Sequence, residues 1–381
     1  MNIITSRSLH LGLYLFVNSL FIAKYFSRVT SYSWLVILAY CSVIISGIYI
    51  YDLVVRRNSY QRLLKPATYI LLAIMTTGIG TLLIKIDPYS VNVDRWSAVS
   101  FFLDHLFKGQ YPYAAHTHLC ETNFPSPFPV WYLINLPFYL MKDVGLNLIF
   151  FLLGTAVLLY YFFESYKSLL LFVLLLAISP AYWWEVSVRS DSLSNALLVF
   201  GFILWTTKRH HTLQSNTLLN AIGTGLIAAT RLSAVLPLAI YYFRDFWEAS
   251  WKKKTLFIAV SFAVVAVAFL PFFFWGGNAT AFLSRNPFMS QTSVGNRYIL
   301  LFMIAMGILF SYYWKNYKEL LALLSLFVFL FILLSEIALI ISRNAYGTIF
   351  EDRVIDISYF TLCFPYCLAL IVSKYAVVGK N

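Results

Sequence analysis

The feature that most constrains this chain is a succession of apolar stretches, each about as long as a helix that crosses a bilayer, with little sequence between them. Roughly 18–25 apolar residues span the hydrocarbon layer as a helix. Residues 320–341 are such a run and read as apolar on every side. The strands of a membrane barrel would instead alternate apolar and polar residues. A soluble domain carries about 25% charged residues, whereas this chain of 381 residues carries 12% and is 60% hydrophobic. The sequence therefore predicts an all-α polytopic membrane bundle, a single domain over residues 1–381, and excludes a soluble fold.

Arg7 precedes the first apolar run, as in a secretory signal, but no small-residue cleavage site follows. That run reads as the first transmembrane helix. The spans expected from hydropathy are approximately 9–26, 34–54, 67–85, 145–163, 169–184, 193–207, 216–230, 232–243, 255–274, 298–314, 319–341 and 357–373, about 12 in all. Basic loops stay cytoplasmic. Arg56–Lys65, Lys208–His211, Arg244–Lys254 and Lys315–Lys318 are the clearest of them, and pinning them inside puts both termini in the cytoplasm. The net charge of +12 is then mostly this bias and points to no nucleic acid. Residues 212–243 must cross an even number of times in barely enough length, so two short helices turning near Arg231 are expected. Residues Phe124–Lys142 are apolar but hold Pro125, Pro127, Pro129 and Pro137. They read as a short re-entrant or interfacial helix on the outer side. Cys41, Cys363 and Cys367 fall inside helices and Cys120 in a loop, so neither a loop disulfide nor a Cys metal cluster is implied.

The polar chemistry gathers on the extracytoplasmic side. The first long outer loop, residues 86–142, carries Asp94, Asp104, His116, His118 and Glu121. Residues 94–108 read as an amphipathic helix with Trp96, Val99, Phe102, Leu103 and Leu106 on one face, ending at Gly109. Such a helix lies in the outer interface. Asp94 would begin it, and the plainest role for an Asp there is an N-cap. His116 and His118 have one spacer between them, which resembles half a metal site, but no third ligand stands at a metal spacing. Glu185, Arg189 and Asp191 cluster at a helix junction, and Arg297 and Arg353 lie on later outer segments. Arg231 is placed at membrane depth, where an ionisable group defaults to a functional role. Its plain alternative is a buried pair with Asp191 or Glu185. Arginine suits phosphate because its planar fork donates two hydrogen bonds at once. The residues together describe an outer cavity with carboxylates at its mouth, several arginines and a lipid-facing entrance, matched to a substrate that is half lipid and half phosphate-sugar.

Residues 87–140 read DPYSVNVDRWSAVSFFLDHLFKGQYPYAAHTHLCETNFPSPFPVWYLINLPFYL. This segment resembles the first outer loop of GT-C superfamily glycosyltransferases, especially those related to the first mannosyltransferase of GPI-anchor synthesis. The matching pieces are the acidic motif ending at Asp94, the helix over 95–108, the turn Gly109-Gln110-Tyr111-Pro112-Tyr113 and the Pro-rich Phe124–Leu140. VSVRSDSLSNALL at 186–198 and GLIAATRLSAVLPLAIYY at 225–242 are similar to later parts of that family. The resemblance implies a GT-C-like bundle and a polyprenyl-phosphate monosaccharide as donor. It also implies inverting transfer to a hydroxyl of a lipid or glycan acceptor. Asp94 would be the general base. Arg231, Arg189, Arg297 and Arg353 would bind the donor phosphate. Asp104, His116, His118, Glu121 and Asp191 would contact the acceptor or the sugar. The family's Asp-x-Asp pair is here Asn92-Val93-Asp94, which argues against a divalent cation, and no cofactor is required. The chain's compactness suggests a bacterial inner membrane with the site facing the periplasm.

Three other readings fit parts of the same pattern. An O-antigen-type polymerase or ligase uses the same donor class, but its large outer loop comes late in the chain. A lipid-linked-sugar transporter or flippase would show internal repeats and interrupted midplane helices, and no repeat is visible here. A structural membrane subunit would leave the outer acids and arginines incidental.

Overall fold

The protein is described from a computed structural model over residues 3–57, 61–277, 280–292, 297–346, 350 and 355–377. Among these residues there is no strand. Three long helices come first: α1 (Arg7–Phe26), α2 (Ser33–Arg56) and α3 (Gln61–Lys85). The loop that follows carries α4 (Arg95–Phe107) and α5 (Pro129–Leu140). The middle of the chain forms α6 (Asn147–Phe163), α7 (Tyr166–Ala177), α8 (Pro180–Ser187), α9 (Ser192–Lys208), α10 (Thr217–Ala228) and α11 (Val235–Glu248). Then come α12 (Trp251–Phe273), the short α13 (Thr280–Ser284) and α14 (Pro287–Thr292), α15 (Arg297–Ser311), α16 (Tyr317–Arg343) and α17 (Phe364–Val372), the last entered through a 3-10 turn over Ile357–Cys363.

Each of the 12 expected spans falls wholly or mostly on helix, but helix length and composition support fewer crossings than 12. Seven helical segments among the described residues are long and apolar enough to cross a membrane, or eight if the bent pair α7 and α8 is one span. The single helix expected over 169–184 is broken by 66° between α7 and α8. Pro180 opens α8 with Ser179 as its cap, and the residue before a proline is pushed out of the helical region. Helices α9, α10, α11 and α15 have 17, 12, 14 and 15 residues, short of the roughly 20 with which a helix crosses a bilayer. Hydropathy registers an apolar run whether or not it is long enough to cross, which explains the difference.

Two local expectations are met. Helices α10 and α11 turn at Arg231, whose backbone is extended. Helix α4 buries Trp96, Val99, Phe102 and Leu103 and stops at Lys108, where Gly109 takes a positive φ of 68° that a side chain would disfavour. Helix α5 has 12 residues, too short to span. Its start is hydrogen-bonded to the end of α10, with Phe128 N donating to Thr230 O at 2.9 Å and Val130 N to Ala229 O at 3.1 Å.

The two ends of the bundle differ. Asp52 at one end receives Arg7 at 2.7 Å and Lys374 at 2.6 Å, and nearby loops pair Lys208 with Glu164 at 2.6 Å. Helix α1 starts at this basic end and finishes where Lys24 Nζ donates to Ile355 O at 3.0 Å. That opposite end holds α4, α5, the α8–α9 junction and the entry to α17. Here the buried charges gather.

Candidate functional site

Arg95 is the hub of the second end. Its Nη1 donates to Ser190 Oγ and Ser192 Oγ, both at 2.8 Å, and its Nη2 to Asp356 Oδ2 at 2.7 Å and Ser358 Oγ at 2.6 Å. The guanidinium also lies over the Tyr359 ring at 5.0 Å and 3.8 Å from the Glu185 carboxylate. Burial disfavours its charge, but Asp356, Tyr359 and the neighbouring carboxylates more than offset this and hold it protonated above its ordinary pKa. Burial also works against ionised Asp356, yet Arg95 and Ser358 prevail and keep its carboxyl below the usual carboxylate range.

A second knot lies alongside. Asp191, 2% exposed, accepts from Arg231 Nη2 and from Trp131 Nε1, each at 2.5 Å. The pairing of Arg231 with Asp191 is the plain alternative weighed for that arginine. It uses only part of the guanidinium, because Nε is buried with no hydrogen-bond partner among the described residues. Arg231 also lines a cavity of about 170 Å³. The polar wall of that cavity includes Ser126, Gln291, Arg297, Ser335, Glu336 and Tyr359, and its apolar wall includes Leu300, Val328, Phe331, Ile332 and Leu362. Gln291 fixes the rim by accepting from Leu232 N at 2.7 Å and donating to Ser126 O at 2.6 Å.

Asp94 is the N-cap residue of α4 by position, but its side chain makes no cap bond. Oδ2 accepts instead from Thr117 Oγ1 and Asn123 Nδ2, both at 2.9 Å. The half-buried carboxylate is thus held from the loop rather than spent on its own helix. Thr117 N in turn donates to Asn123 O at 3.0 Å, which closes that loop into a clamp. Asn123 lies three residues before Ser126 of the cavity wall, and Arg95, next to Asp94, stacks on Tyr359 of the same wall.

The other residues singled out from sequence scatter. Arg189 is a staple: its Nε donates to Asp143 Oδ2 at 3.1 Å, Nη1 to Ile86 O at 3.0 Å and Nη2 to Leu83 O. It caps the last carbonyls of α3, a favourable place for a cation, and does not line the cavity. Asp104 accepts from Tyr139 Oη at 2.5 Å and ties α4 to α5. His118 is held at both ring nitrogens, by Ser97 Oγ at 2.7 Å and Val91 O at 3.1 Å. His116 is exposed and packs on Phe124, and Glu121 is exposed. Arg297 is exposed at the cavity rim, with Nη2 donating to Tyr298 Oη at 3.1 Å. Arg353 lies outside the described residues. Among the described residues, no three His, Cys, Asp or Glu side chains come together as a metal site. Cys363 and Cys367 are buried in packing, and Cys120 is exposed.

The sequence reading passed over Arg95, Asp356, Gln291 and Glu336. For Glu336 the signal was present: it is the one acid within the apolar run 320–341. Asp356 and Arg95 are 261 positions apart and nothing local announces their pairing. Comparison with protein-family models, with curated proteins and with solved structures yields no match to this chain.

Proposed function

We propose that this protein is a membrane glycosyltransferase that moves a monosaccharide from a polyprenyl-phosphate donor to a hydroxyl acceptor on the extracytoplasmic face, with inversion. The observation that carries the proposal is the cavity beside Arg231. Its lining changes from leucine, valine and phenylalanine to arginine, serine and glutamine within about 170 Å³. An isoprenoid chain suits the first wall and a phosphate the second. The resemblance of residues 87–140 to a GT-C outer loop supports the same reading.

In this reading the donor phosphate meets Arg231 and Arg297. Glycosyl transfer passes through an oxocarbenium-like transition state, and charge builds on the departing phosphate. A guanidinium fixed in place beforehand stabilises that charge without reorganising. Arg231 is fixed in this way by Asp191. Asp94 takes the proton of the acceptor hydroxyl as general base, a role that needs a carboxylate within about 2.6–3.2 Å of the hydroxyl. Both of the side-chain bonds it accepts fall on Oδ2, which leaves Oδ1 for the acceptor. Short α5 acts as the re-entrant floor of the site. The reaction needs no cofactor, and the enzyme sits in a bacterial inner membrane with the site toward the periplasm.

The test uses the purified protein in detergent with a panel of radiolabelled polyprenyl-phosphate sugars and membrane-extract acceptors. Wild type is expected to release polyprenyl phosphate from one donor, and Asp94→Asn to release none while folding normally. If wild type consumes no donor, the transferase reading falls. If Asp94→Asn turns over at a near-normal rate, Asp94 is not the base.

A further inference from the structure

Glu336 has no part in the chemistry described so far, yet it lines the same cavity as Arg231. It is 6% exposed, and its Oε2 is buried with no hydrogen-bond partner among the described residues. Two more unpartnered polar atoms belong to residues of this cavity, Arg231 Nε and Ser335 Oγ. Lys24, a nearby cation, is turned to the carbonyl of Ile355 at 3.0 Å. An acid inside an apolar helix is costly and is retained for a reason. An orphaned buried carboxylate oxygen is costly again, because desolvation is not offset by a bond.

The register of α16 shows what the cavity presents. Val328, Phe331, Ile332, Ser335 and Glu336 follow one another at helical spacing along one face and all line it. At about 1.5 Å per residue, the wall runs from valine to glutamate over about 12 Å. The polar end offers one N–H donor, one hydroxyl and one carboxylate oxygen that needs a donor. A phosphate alone supplies no donor to the carboxylate and sets like charge beside it. An apolar chain supplies nothing. A ring bearing hydroxyls supplies donors and separates the phosphate from the acid.

We infer that Glu336 is a specificity-determining residue of this cavity, accepting hydrogen bonds from hydroxyls of the sugar ring whose phosphate meets Arg231. The inference rests on the transferase reading and names a contact within that site. Ser335 is the adjacent hydroxyl contact. A substrate sugar lacking the hydroxyl that Glu336 engages would be rejected, because Oε2 would again be left without a partner while the backbone of Asp356 serves the rest of the carboxylate.

The experiment measures equilibrium binding by intrinsic tryptophan fluorescence in detergent. The probes are sugar-free polyprenyl phosphate and a panel of polyprenyl-phosphate monosaccharides. The proteins are wild type, Glu336→Gln and Glu336→Leu, each checked for thermal unfolding. Wild type is expected to bind one sugar-bearing lipid more tightly than the sugar-free lipid. Glu336→Leu is expected to lose about tenfold or more of that preference through weaker binding of the sugar-bearing lipid, while binding sugar-free polyprenyl phosphate at least as tightly as wild type does, because the like charge beside the phosphate is gone. Glu336→Gln, which keeps an acceptor oxygen, should keep part of the preference and serves if the leucine variant fails to fold. An unchanged preference in both variants overturns the role of Glu336 and leaves the lipid-phosphate reading standing. If wild type binds no polyprenyl phosphate of either kind, both fall together.

Discussion

At the scale of single residues, Asp191 is the member of the charge network with the least freedom. It satisfies Arg231 and Trp131 at once from a position 2% exposed. Removing one partner of a buried pair leaves an uncompensated charge, at a cost of about 3–5 kcal/mol. Asp191→Ala is therefore expected to lower thermal stability in detergent strongly. Asp191→Leu combined with Arg231→Met should be less damaged than the single changes would sum to, because the two residues share one interaction. Additive losses on melting would contradict the pairing. Tyr139 gives a second residue-level prediction. Its hydrogen bond to Asp104, with burial and the charge of that carboxylate adding to it, pushes the phenol from 10.0 up to about 12. The folded state then holds this proton more tightly than the unfolded chain does, so the stabilisation is complete below pH 10 and is lost as pH rises toward 12. Tyr139→Phe should remove that part of the alkaline loss and change nothing near neutrality beyond the bond itself. Of these residues, Arg231 and Asp191 were legible from sequence because ionisable groups at membrane depth are rare. The partners of Arg189 and Asp104 were not, since a charge looks the same whether it meets a substrate or staples two helices.

At the scale of elements, the junction after α3 depends on close approach. A methyl group added at Gly145 would meet Leu83 Cδ2 at 2.7 Å, and Arg189 Cγ and Asp143 Oδ1 at 2.9 Å. Gly145→Ala therefore pushes directly on the staple that ends α3. It is expected to destabilise the fold, and Arg189→Lys should do the same, because lysine cannot bridge a carboxylate and two carbonyls with one planar group. Melting temperatures unaltered in both variants would show that the staple carries no stability. The sequence is informative where a pattern repeats every turn, as in α4, or where the length between two basic loops forces a bend, as between α10 and α11. It is uninformative where one residue decides, as at Pro180, whose break an averaged hydropathy does not register.

At the scale of the whole molecule, the expected arrangement has the loop of residues 86–142 and the basic loops on opposite sides of the membrane. The protein carries its own reporter, since Cys120 is exposed in that loop while Cys363 and Cys367 are buried. An impermeant maleimide added to sealed, right-side-out membrane vesicles is expected to label Cys120. A cysteine introduced at Lys253 should react only after the membrane is opened. The reverse pattern would invert the topology and put the cavity on the cytoplasmic face. Fold class was legible because composition alone excludes every soluble alternative. The number of spans was not, because it depends on where each helix ends.

The length of chain between Arg95 and Asp356, 261 positions, carries a meaning for biosynthesis. A nascent chain emerges N-terminus first, so Arg95 leaves the ribosome long before any residue that will neutralise its charge from the C-terminal side. Until the entry to α17 is made, its partners among the described residues are Ser190, Ser192 and the carboxylates of Glu185 and Asp191, and before those it has only water. Helix α4 therefore waits for Asp356, its direct ion-pair partner, for most of the time the protein is being translated. The end of the bundle that holds the cavity closes last. A chain that stops short of residue 356 keeps that end unsealed, with a buried-type arginine on display as the mark of an unfinished molecule.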